Sequence, residues 1–162
     1  MKKHYAPQDH TFAICAYKES PYLRTCIESL RQQSIPSRIL MATSTDNPYL
    51  QSLAREYQIP LYVNTGASGI ANDWNFAYRC AQSRLVTLAH QDDMYHQGYT
   101  SHMLAALNRA SQPLIYFTDY NELRNGKEVS ANRLLRVKRL MLSPLRVRVF
   151  HKSRFLRRRI LS

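Results

Sequence analysis

A chain of 162 residues has room for one domain of ordinary size with a real hydrophobic core. Its 44% hydrophobic content is normal for a globular protein, and no apolar run approaches the roughly 20 residues needed to span a bilayer as a helix. The net charge of +12 is unevenly spread: residues 1–128 hold 12 Lys/Arg against 11 Asp/Glu, whereas residues 129–162 hold 11 Lys/Arg and no acid. Two parts are therefore expected, a near-neutral α/β domain over 1–128 and a basic amphipathic segment over 129–162. The first ten residues are basic with no apolar stretch among them and are not expected to form a signal peptide. Cys15, Cys26 and Cys80 are scattered without Cys-x-x-Cys spacing and read as reduced core thiols of a cytosolic protein.

Thr11–Ala16 is a compact apolar run and a first strand. Ser20-Pro21 supplies an N-cap and a first-turn proline for a helix to about Gln33, with Leu23, Cys26, Ile27 and Leu30 on one face. Arg38–Thr43 is a second strand, and Asp46-Asn47-Pro48 opens a second helix carrying Leu50, Leu53, Ala54 and Tyr57. Pro60–Val63 is a short third strand. Ile70, Trp74, Ala77, Tyr78 and Ala81 then mark the face of a third helix, with Trp74 read as core. Leu85–Ala89 is a fourth strand, Gly98–Ala110 a fourth helix, and Leu114–Thr118 a fifth strand leading to a turn at Asn125-Gly126. Alternating strands and helices predict an α/β fold with a mostly parallel sheet flanked by helices.

The fourth strand runs directly into His90-Gln91-Asp92-Asp93. Ligands of open α/β sheets bind where the strands end. Adjacent carboxylates there repel one another unless a cation neutralises them, which points to a hard divalent metal and a phosphorylated substrate. A helix-capping role for the two acids is the equal alternative from these residues alone.

Ordered pieces along 11–120 resemble the N-terminal, nucleotide-binding half of a family 2 glycosyltransferase with the GT-A, Rossmann-like fold. Ala16-Tyr17-Lys18-Glu19 is similar to the family's Pro/Ala-Tyr-Asn-Glu segment, and Leu23 to Ser34 to its first helix. Ser44-Thr45-Asp46 matches a Ser-Thr-Asp, Asn75 with Ala81 an Asn…Ala helix, and His90 to Asp93 an Asp-x-Asp-Asp. The resemblance implies an inverting glycosyltransferase that binds a nucleotide-diphosphate sugar through Ala16, Tyr17, Glu19, Thr43, Asn75 and Gln91. It also implies a divalent cation, Mn²⁺ or Mg²⁺, held by Asp92 with Asp93 and His90. The acceptor would be a saccharide or a lipid-linked saccharide, as in polysaccharide assembly.

Two departures stand out. The family's acid pair before the Ser-Thr-Asp is Met41 and Ala42 here, leaving the nucleotide's identity open, and His90 replaces the first acid of the metal motif. The acids after Asp93 are Asp119, Glu122 and Glu128, none matching the family's catalytic base. The C-terminal acceptor part is therefore expected to be missing, with donor binding but slow or no turnover.

The basic tail, residues 133–159, interleaves apolar side chains with its charges. It suits an anionic membrane surface, and hence a cytoplasmic protein peripheral on the inner membrane face. Packing on a further part of the protein is the plainer reading, and nucleic acid the disfavoured one. The rival function is a non-catalytic basic membrane- or nucleic-acid-binding protein that retains a nucleotide-binding fold.

Overall fold

The computed structural model describes residues 4–67, 69–111, 113, 115–124, 127–129 and 133–143. They fall into two compact units, 1–116 and 117–162. The expected charge boundary at 128/129 lies inside the second.

In the first unit, strands β1 (His10–Ala16), β2 (Arg38–Thr43), β3 (Leu61–Val63) and β4 (Leu85–His90) form a parallel sheet in the order β3-β2-β1-β4. Phe12, Ala13 and Ile14 of β1 are completely buried, because helices cover both faces of the strand. Phe12, Ile14 and Met41 face α1 (Leu23–Arg31) and α2 (Pro48–Glu56). Ala13, Leu40 and Ala42 face Ala77 and Ala81 of α3 (Ile70–Ala81), a contact built largely from small residues. Helix α4 (Tyr99–Arg109) adds a third cluster through Met103, Leu104 and Leu107. Asn47 caps α2 by accepting the Leu50 N–H at 2.9 Å, and Pro48 sits in its first turn.

Four expectations need correction. Helix α1 starts at Leu23 and lacks a side-chain cap; buried Ser20 instead lends its carbonyl to Leu23 N–H and to the Tyr49 hydroxyl. On α3, Ala77 and Ala81 are buried, but Ile70, Trp74 and Tyr78 are exposed, since the face that meets the sheet runs through Phe76, Ala77, Cys80 and Ala81. Residues 115–118 form no strand, and Ile115 and Phe117 are exposed; Leu114 lies outside the described residues. His90 belongs to β4, so the strand reaches one residue further than expected.

The second unit holds an antiparallel pair, β5 (Glu122–Arg124) and β6 (Lys127–Val129), and helix α5 (Arg133–Leu142). The expected turn residues between those strands, Asn125 and Gly126, and the tail from 144 onward lie outside the described residues.

His10, fully buried at the start of β1, bonds Ser37 Oγ at 2.8 Å and Thr87 Oγ1 at 2.9 Å, with its ring edge-on to Phe12. Burial disfavours the imidazolium and lowers its pKa from 6.5 to about 4. Between those values the unfolded chain binds the proton and the folded chain does not. This contribution to stability is complete above pH 6.5 and is lost as the pH falls toward about 4, a change of roughly 3 kcal/mol. Urea unfolding across that window should show the fall, and His10→Leu should flatten it; an unchanged slope in the variant would assign the fall to other groups.

Candidate nucleotide and metal site

The chain travels outward from β1 through β2 to β3, then returns by α3 to β4 on β1's other side. The strand order therefore reverses between β1 and β4, and the crevice beyond their C-terminal ends is where such sheets take ligands. The segment 16–19 and the segment 90–93 meet there.

A reciprocal clamp joins them. Tyr17 N–H donates to Gln91 Oε1 at 2.9 Å, and Gln91 Nε2 donates to the Tyr17 carbonyl at 3.0 Å. Both ends of the Gln91 carboxamide are thus engaged by the backbone, and Gln91 positions the edge. Lys18 turns the chain through a left-handed conformation (φ +54°), and its N–H donates to Thr45 Oγ1 at 2.6 Å. Thr43 Oγ1 accepts Thr45 N–H at 3.0 Å, so Thr43 is buried within the β2 end. Ala16 is also buried, whereas Tyr17 and Glu19 stand exposed at the crevice. Asn75 is exposed on α3.

Two polar residues that the sequence did not single out hold this edge. Asp73 of α3 accepts from Ser44 Oγ and from Asn64 Nδ2, each at 2.9 Å, tying α3 to the ends of β2 and β3. Gln33, buried after α1, donates to the carbonyls of Ser29 and His96 and accepts from Thr100 N–H and Oγ1. It stitches the loop after Asp93 to α1 and α4. The signal was Gln33's place at the end of an apolar helix face.

Asp92 and Asp93 are exposed where the chain leaves β4. Partial burial raises the Asp93 pKa; His90 opposes the rise and the Asp92 charge adds to it. Beneath them the Cys26 thiol donates to the His90 carbonyl at 3.3 Å, and burial, with the Asp93 and Asp92 charges, pushes it up to about 12. Cys26 is therefore no nucleophile at neutral pH. The His90 ring lies 5.0 Å from that of Trp74. His90, Asp92 and Asp93 do not form a closed cage: among the described residues no three His, Cys, Asp or Glu side chains are arranged to hold an ion. Two carboxylates with open surroundings nonetheless fit a hard divalent cation whose remaining ligands are phosphate oxygens and water. Asp119, Glu122 and Glu128 lie in the second unit, where Asp119 accepts from Arg139 Nε at 2.7 Å.

The doubly covered parallel sheet and its crevice define a GT-A fold. Residues 11–162 match glycosyl transferase family 2, and the chain belongs to that family. Similar solved structures include the mannosyltransferase PcManGT from Pyrobaculum calidifontis in complex with GDP-Man and Mn²⁺ (18% identity, TM-score 0.53, 67% of this chain and 35% of that one). S. aureus TarS is another (17% identity, TM-score 0.52, 59% of this chain and 31% of that one). The chain thus spans about a third of the length of these structures. No curated protein matches it.

Replacing Gln91 by Leu removes both clamp bonds and is expected to cost about 1–2 kcal/mol. Urea unfolding of the variant checks this, and an unshifted midpoint would mean that the clamp adds nothing.

Proposed function

We propose that this domain binds a nucleotide-diphosphate sugar with Mn²⁺ or Mg²⁺ and presents it to a saccharide or lipid-linked acceptor, as an inverting family 2 glycosyltransferase does. The single observation behind this reading is the exposed Asp92-Asp93 pair at the β1/β4 crevice. Asp92 is the principal metal ligand in this reading and Asp93 the adjacent one. The cation supplies charge that offsets the negative charge developing on the leaving diphosphate. Exposed Glu19 suits the ribose hydroxyls, since a carboxylate accepts from both. Tyr17 lines the same corner, with Ala16 and Thr43 forming its buried floor and Gln91 fixing its backbone. Asn75 is assigned to the donor by its motif position. Calorimetry with a nucleoside diphosphate tests the reading: Mn²⁺ should raise affinity, and Asp92→Ala should abolish that gain while leaving the fold intact. A variant that binds metal and nucleotide like the parent would move the site elsewhere.

A membrane-surface role is favoured by α5. Leu135 is buried, while Val137, Leu140 and Met141, spaced to share one helical face, are exposed beside Arg136 and Lys138. No helix among the described residues is long and apolar enough to cross a membrane. An exposed apolar stripe flanked by cations instead suits the surface of an anionic bilayer, on the cytoplasmic face in this reading. The protein should sediment with vesicles containing phosphatidylserine and not with neutral ones, and Val137→Glu with Leu140→Glu should release it. Equal sedimentation of the double variant would remove α5 from the interaction.

A further inference from the structure

We propose that Trp74 and His90 form a ledge on which the base of the nucleotide stacks, so that the donor's base is held by its face and not read at its edge. The inference rests on the nucleotide-sugar reading above.

Trp74 is the only tryptophan in the chain, and it is 38% exposed although it follows the apolar spacing of α3. The core on that face is made by Ala77 and Ala81 with half-buried Phe76 and Cys80, so the indole is surplus to it. Its ring lies 5.0 Å from the His90 ring at a 38° tilt. His90 ends β4, two residues before Asp92. The neighbouring residue on α3, Asp73, is fixed by Ser44 and Asn64, so the turn carrying Trp74 is tied to the same sheet edge as the carboxylates. A rigid, half-exposed aromatic surface beside a diphosphate site is what a planar base needs.

The last residues of β2 itself offer a base's edge little polar surface. Met41 and Ala42 are apolar and 0% and 3% exposed. The Thr43 and Thr45 hydroxyls already serve the backbone of Thr45 and Lys18. Tyr17 also offers a ring, but the Lys18 ammonium sits over it at 5.1 Å. Every base has a π face, so stacking holds purines and pyrimidines with little discrimination, and loss of one aromatic platform weakens binding about 5- to 100-fold.

The test titrates the protein in Mg²⁺ with UDP, GDP, CDP and inorganic pyrophosphate, following Trp74 fluorescence and heat in parallel. All three nucleotides should quench the indole and bind within about 10-fold of one another. Pyrophosphate should bind without quenching. Trp74→Ala should lose about 5- to 100-fold for each nucleotide and leave pyrophosphate unchanged, while Trp74→Phe keeps most of the affinity. Calorimetric nucleotide binding without quenching, undiminished in Trp74→Ala, would overturn the ledge and leave the nucleotide reading standing. A single base preferred by more than about 100-fold would also overturn it. Absence of heat with every nucleotide would overturn both.

Discussion

The burial of β1 on both faces is the constraint from which the site follows. Its central residues are fully buried, and its backbone is shared between ladders to β2 and β4. A backbone so enclosed can satisfy its polar groups only through those neighbours, which fixes their register. Because β1 ends in the middle of the sheet, residues 17–19 emerge between the β2 and β4 ends, and the crevice is a property of the topology before any side chain is considered. Residues 16–19 and 90–93 therefore meet although 74 residues separate Tyr17 from Gln91.

Around that crevice the polar residues divide by task. Gln91, Gln33 and Asp73 use their side chains on the protein itself, closing loops onto helices and strand ends. Asp92 and Asp93 stay at the surface, where their mutual repulsion is tolerable and a cation can relieve it. The two groups depend on one another, because carboxylates on an untethered loop would separate.

Strands β1 and β2 and helix α2 were legible because apolar period and capping chemistry agree there, Asn47-Pro48 most plainly. The α3 face was misjudged because periodicity identifies a stripe without saying how much of it a sheet will cover. Trp74 and Tyr78 share a stripe with Ala77 and Ala81 but lie on the side turned away from Phe76 and Cys80, which complete the covered face. The 115–118 run shows the same limit for strands: apolar composition does not supply a partner edge. The carboxylate pair and its strand end were readable directly. The roles of Gln91 and Gln33 were not, since they depend on partners more than 60 residues distant.

The small-residue contact between α3 and the sheet bears on how such a site can change. Ala13, Ala42, Ala77 and Ala81 carry no chemistry, yet they set how near α3 lies to β1 and β2. A methylene or two added to that layer would lift the helix like a shim under a rail, carrying Asp73 and Trp74 away from the strand ends. Divergence of ligand preference in this scaffold therefore has a route that leaves every polar residue of the crevice in place and alters only the thickness of the layer behind it.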